Sequence, residues 1–354
     1  MHTTTATKIG IALACFAVTA VAKGADSIRV AADVMVDIAA SYSFAKPPNH
    51  ERAYTTQPSR NGEIGLMLGH AGVVVQTNHL TTRFVLQAGW FTEANYVGAD
   101  SAWRHLQEAS IVWHATKELD VEVGIMQSHI GYESMIPRKN LVLSRNLISD
   151  YTPYYETGAA VRWKTQQNVV VGLHVLNGWQ RIVENNESLS FGTSLLVSAA
   201  ENLRVSWNTF IGNDQPTGTP ELLRFHNDVW AEWKPTSAST LVAIADVGLQ
   251  ERATAGTDKS WYGAVLGSLL LNSKLSVCAR AEHFNDADRL YVSTPTNTNF
   301  VCTGASIGAN LLLAPYLLFR AELRTLSATQ PVFPSASGYT RTDTFITVSM
   351  SAGL

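Results

Sequence analysis

Ionisable residues recur at every second position in this chain. Arg162 and Lys164, Arg280 and Glu282, and Arg320, Glu322 and Arg324 each alternate with less polar neighbours. Arg204 sits in the same way between Leu203 and Val205. A period of two collects all the charge on one face of an extended strand. Acids and bases mixed along a wet wall do electrostatic work, because their summed field orients ions and polar solutes. Arg162, Lys164, Arg204, Arg280, Glu282, Arg320, Glu322 and Arg324 are therefore the expected lumen-wall residues. For any one of them alone, solvation of a polar surface is the simpler role.

The residues that could support catalysis or metal binding lack the spacing for it. Gly304-Ala305-Ser306-Ile307-Gly308 matches the G-x-S-x-G elbow, which needs a strand-to-helix turn to expose its serine. Here Ala309 to Leu313 follow with no helix signal, so glycines that let strands pack are the plainer reading. The histidines, among them His129 and His174, form no H-x-x-x-H or H-E-x-x-H pair. No zinc site is readable, and the default for His129 is a local hydrogen bond. No catalytic residue, metal or cofactor is expected. Beyond the leader only Cys278 and Cys302 remain, too few for a disulfide scaffold. Both fall on the polar face of adjacent predicted strands, which leaves a cross-strand bridge open.

Residues 1–22 carry one Lys8, an apolar run from Ile9 to Val21 and a small-x-small site at Ala20-Val21-Ala22. That is the pattern of a secretory signal peptide, which leaves 23–354 as one domain. Loss of Lys8 takes the formal charge from −3 to −4, which points to no nucleic-acid partner.

The alternating pattern predicts strands near 33–44, 62–77, 81–93, 104–115, 119–130, 154–165, 168–180 and 189–199. It continues at 202–213, 223–234, 239–250, 260–272, 274–285, 300–313, 316–326 and 342–353. These are about sixteen segments of membrane-spanning length. Short turns such as Thr116-Lys117-Glu118 and Gln166-Gln167 alternate with long loops such as Pro47 to Arg60 and Asn285 to Asn299. A soluble sandwich has no reason to sort its loops so, whereas an outer-membrane barrel does. The expected fold is an all-β, transmembrane, antiparallel up-and-down β-barrel. Trp113, Trp163, Trp233 and Tyr316 would form an aromatic belt at the short-turn end. Trp90, Phe91, Trp103, Tyr154, Tyr155, Trp179, Phe210, Trp261 and Phe284 would form a second near the long loops.

The connection at roughly 131–153 is far longer than an ordinary hairpin loop and is the third long loop. Met135, Ile136, Leu141, Val142, Leu143, Leu147 and Ile148 make it apolar. Outside the barrel these side chains would face water at about 25 cal/mol per Å². Folded into the mouth, the loop would narrow the pore. Glu133, Arg138, Lys139, Arg145 and Asp150 are then the expected constriction residues. A cap on the rim or on a neighbouring subunit is the alternative.

The segments SYSFAKPPNHERAY, SHIGYES, SDYTPYYETGA, LNGWQRI, FIGND and RFHND stand in order along residues 40 to 250. On these motifs the chain resembles the OmpL-like, second family of β-barrel porins of the bacterial outer membrane. The resemblance implies a passive channel for small hydrophilic solutes, with outer-membrane lipid around it. A homo-oligomer follows by analogy with sixteen-stranded porins. A barrel enzyme of lipase or protease type, or a structural or adhesive surface barrel, would share the fold.

Overall fold

The computed structural model describes residues 27–96, 102–165, 168–295 and 297–353. The leader at 1–22, the turn Gln166-Gln167 and Leu354 lie outside the described residues. The strands are β1 Arg29–Ser43, β2 Ile64–Gln76, β3 Leu80–Ala88, β4 Leu106–His114, β5 Leu119–Gln127 and β6 Tyr155–Lys164. They continue as β7 Val169–Leu176, β8 Ser190–Ala200, β9 Leu203–Asn213, β10 Leu223–Thr236, β11 Ser239–Glu251 and β12 Thr257–Leu270. Next come β13 Leu275–Asp286, β14 Phe300–Ala314 and β15 Leu317–Ala328. A small hairpin, β16 Phe333–Ser335 and β17 Gly338–Thr340, sits in the last long loop, before β18 Thr342–Gly353.

Apart from that hairpin, each strand pairs antiparallel with its chain neighbour, and β1 closes the sheet on β18 with Ile38 opposite Met350. Closure pairs the two edges that lipid would otherwise leave unsatisfied. The two faces follow the alternation. On β9, Trp207 points outward at 49% exposure, while Ser206 and Asn208 are buried inside.

Two expectations need correction. The third strand does not run to residue 93 but ends at Ala88, and a short helix α1 Trp90–Asn95 follows. Gly89 makes the turn at φ +127°, where an added Cβ would stand 2.7 Å from the Met67 carbonyl oxygen. Only glycine tolerates that geometry, and it swings the chain off the wall. The aromatic belts differ as well. Trp113, Trp163, Trp233 and Tyr316 are exposed on the outside, but Phe91, Tyr154, Tyr155, Trp179, Phe210 and Phe284 are buried. These rings pack inside the barrel, with Phe284 and Phe300 against Val142, Leu147 and Ile148 of the third loop. A ring near a strand end reads alike in either place until something fills the interior.

Cys278 and Cys302 are free and buried. Cys278 lies opposite Gly308 and Cys302 opposite Phe284, so the pairing register holds the two thiols apart and the bridge does not form.

Candidate functional site

The third long loop joins β5 to β6 and runs inside the barrel. At its root Ser128 N–H donates to the Tyr154 carbonyl at 3.2 Å. His129 bonds the Glu156 carboxylate at 2.8 Å through Nδ1 and the Thr209 carbonyl at 2.8 Å through Nε2. Gly131 N–H then donates to Asp228 at 3.0 Å, and the Tyr132 hydroxyl to Glu232 at 2.9 Å. From there the chain crosses the lumen to place Met135 and Ile136 beside Met35 and Leu68.

An irregular segment in this position must find a partner for every backbone group. The inward-facing charges of β13 and β15 supply them. Arg320 donates to the carbonyls of Pro137 and Asn140 at 2.6 and 3.0 Å, and Arg324 to that of Arg145 at 2.8 Å. Glu322 accepts from Ser144 N–H at 2.6 Å, and Glu282 from Leu147 N–H at 2.8 Å. Arg280 lies 3.1 Å from Glu322, 3.2 Å from Glu282 and 3.8 Å from Glu133. Asn310 of β14 adds a bond to the Leu141 carbonyl at 3.1 Å. The alternation thus places five of the expected lumen-wall residues on the inner face, but under the loop. Arg280, Glu282, Arg320, Glu322 and Arg324 are buried, and they hold the loop instead of lining open water.

The opposite wall stays wet. Arg162 pairs with Glu122 at 2.5 Å, Lys164 with Asp120 at 2.6 Å and Arg204 with Glu232 at 2.9 Å. Lys164 and Arg204 are well exposed, at 49% and 46% of their side chains, and Arg162 is partly exposed.

The five expected constriction residues separate into two groups. Arg138 and Lys139 lie at the far tip of the loop, where Arg138 donates to the Tyr316 carbonyl in a short turn at 2.9 Å. The loop therefore reaches the short-turn end of the barrel. Glu133, Arg145 and Asp150 are buried midway. The Arg145 guanidinium lies 3.7 Å over the Tyr154 ring, and the Tyr154 hydroxyl donates to Asp150 at 2.6 Å. Thr56 of the first long loop donates to the same Asp150 oxygen at 2.6 Å, and Gln57 to the Met135 carbonyl at 2.7 Å. Burial raises the pKa of Asp150 and Glu133 from their ordinary values, against the pull of Arg145 and Arg280 respectively. Burial also lowers the Arg52 guanidinium to about 10.

This cluster stands between two cavities. A vestibule of about 820 Å³ opens at the long-loop end, lined by Arg52, Arg60, Trp90, Asp150, Tyr151 and Arg181 among others. An inner cavity of about 200 Å³ is lined by Gln127, Gly131, Glu133, Arg145 and Tyr154 among others. The roles of Thr56, Gln57 and Tyr154 escape a reading by spacing, because each depends on a partner in another loop. The polar length of the first long loop is the only hint that it too could turn inward.

A family described as Putative beta-barrel porin-2, OmpL-like matches residues 29–354. No curated protein matches the chain in sequence. Among solved structures it is similar to the outer-membrane channel DcaP of Acinetobacter baumannii, with TM-score 0.64 and 10% identity over 92% of this chain and 97% of that one. OmpT of Vibrio cholerae is similar at TM-score 0.63 and 10% identity, over 92% of this chain and 98% of that one. The anion-selective porin of Comamonas acidovorans gives 0.62 and 10%, over 93% and 100%. At such identities these structures speak to the fold.

Proposed function

Because this chain belongs to the Putative beta-barrel porin-2, OmpL-like family, we propose that it is an outer-membrane porin passing small hydrophilic solutes and ions by passive diffusion. The protein is a bacterial outer-membrane barrel. The observation that carries the route is the trio Arg162, Lys164 and Arg204, each paired with a carboxylate and none covered by the loop, with Lys164 and Arg204 well exposed and Arg162 partly so. Solutes enter by the vestibule, pass the Arg145–Tyr154–Asp150 cluster and leave along this trio. Paired charges of both signs give weak ion selectivity. In this reading the barrel is not an enzyme, residues 1–22 direct export, and the mature chain begins near Lys23. A homo-oligomer is part of the same reading, supported by the trimer form of the similar Vibrio cholerae OmpT structure.

Purified protein in a planar bilayer tests the proposal. Stepwise ion conductance is the expected result. Electrical silence from folded protein, together with ester or peptide hydrolysis, would replace the channel by a barrel enzyme.

A further inference from the structure

Three side chains meet where the third loop leaves the wall: His129 at the loop root, Glu156 on β6 and His174 on β7. Their candidate donor atoms all lie within 4.8 Å of one another, and this is the one such grouping of histidine, cysteine and carboxylate among the described residues. His129 Nδ1 is 2.8 and 2.9 Å from the two Glu156 oxygens, and His174 Nδ1 is 3.9 Å from one of them. Both rings therefore turn the same nitrogen toward one carboxylate.

The far nitrogens are held as well. His129 Nε2 is 2.8 Å from the Thr209 carbonyl, and His174 Nε2 is 3.2 Å from the Ser194 hydroxyl. A carbonyl only accepts, so Nε2 of His129 carries a proton, and Nδ1 becomes the ligating atom once an ion displaces the proton it shares with Glu156. Metal-binding imidazoles are oriented in this manner by an outer partner. His174 Nδ1 has no hydrogen-bond partner in the protein, although its side chain is only 1% exposed. Two glycines leave room for the rings. A Cβ on Gly192 would fall 2.6 Å from His129, and one on Gly172 would fall 3.0 Å from His174.

We propose that His129, Glu156 and His174 form a binding site for one divalent transition-metal ion of the zinc type, which pins the root of the third loop to the wall. Two imidazole nitrogens and a carboxylate suit such an ion at about 2.0–2.2 Å and leave one position for water. The rings stack with centroids 3.9 Å apart and planes at 17°, so their lone pairs run side by side. A turn of the His174 ring, whose one hydrogen bond is the long contact to Ser194, brings them to a common point. The ion displaces the proton that His129 Nδ1 shares with Glu156, so metal and proton compete.

The test uses purified full-length protein, stripped with a chelator, loaded with Zn²⁺ and passed through gel filtration before metal analysis. One zinc per chain is expected. His174→Ala should lower affinity at least about 10-fold, and Ser194→Ala, which keeps all three ligands, by about 10-fold. His79→Ala, in an exposed turn, should change nothing. Co²⁺ in place of zinc should give a visible absorption band that His174→Ala abolishes. If His174→Ala does not fold, as read by heat-modifiable migration, Ser194→Ala and the cobalt band decide. No retained zinc in the wild type, or equal retention in folded His174→Ala, overturns the proposal. Conductance of the metal-free protein tests the channel separately.

Discussion

Arg280 on the wall holds Ser144 of the loop above it, donating to its carbonyl oxygen at 2.8 Å and to its hydroxyl at 3.0 Å. One side chain thereby satisfies a loop backbone group and a loop side chain, while Glu282 and Glu322 on the wall balance its charge. The same arrangement recurs at Arg324, which bonds the Ser144 hydroxyl and the Arg145 carbonyl and pairs with Glu282, while Arg320 holds two loop carbonyls. Wall charges seat the loop inside the barrel.

Arg280→Ala should loosen the loop without opening the barrel. Removing one partner from a buried, hydrogen-bonded ion cluster costs about 3–5 kcal/mol, here charged to loop seating. Higher or noisier single-channel conductance is expected, together with protease cleavage between Glu133 and Asp150. The heat-modifiable band on a denaturing gel should persist. A quiet, protease-resistant channel would show that Arg280 is dispensable.

Deleting Glu133 to Asp150 removes the segment that runs down the lumen to Tyr316. Single-channel conductance should rise. If a correctly folded deletion mutant conducts as the wild type does, the loop does not obstruct the pore.

The two faces of β9 should answer charge differently. Val205 is on the lipid-facing side, and Val205→Arg should cost about 2–4 kcal/mol if the residue lies near the bilayer midplane. Arg204, one residue away, faces the lumen in a half-exposed pair with Glu232, so Arg204→Ala should cost about 0–1 kcal/mol. Folding into liposomes under urea measures both. Equal costs would contradict the register.

Acid should tighten the loop. Burial raises the Glu133 pKa, so the folded state holds that proton more firmly than the unfolded chain does. This contribution is fully present below the unfolded carboxylate pKa and is lost as pH rises through the raised folded value. Gating noise should therefore fall on mild acidification. Glu133→Gln should be quieter at neutral pH and flatten the response in that window. An identical pH profile in wild type and variant would rule Glu133 out as the source.

The sixteen strands, their two faces and the sorting of short turns from long loops were legible in the order of residues. Leu317 to Arg324 show why. Successive side chains on a strand point to opposite faces whatever surrounds them, so the apolar and charged sets declare themselves locally. The same rule put Arg280, Glu282, Arg320, Glu322 and Arg324 on the inner wall. The apolar composition of residues 131–153 was reason enough to turn that loop inward.

What those charges touch was decided only by the tertiary structure. Glu322 meets Ser144 across 178 residues and Arg320 meets Pro137 across 183, and no periodicity carries a contact between a wall and an irregular loop. The inner aromatic rings were misplaced for the same reason, since a strand alternates identically around a lumen filled with water or with protein. His129, Glu156 and His174 converge because β6 and β7 pair in one register while the loop folds back on them. Local backbone geometry sets which face a residue occupies. The path of the loop, closed by hydrogen bonds from distant strands, sets whether that face is wet.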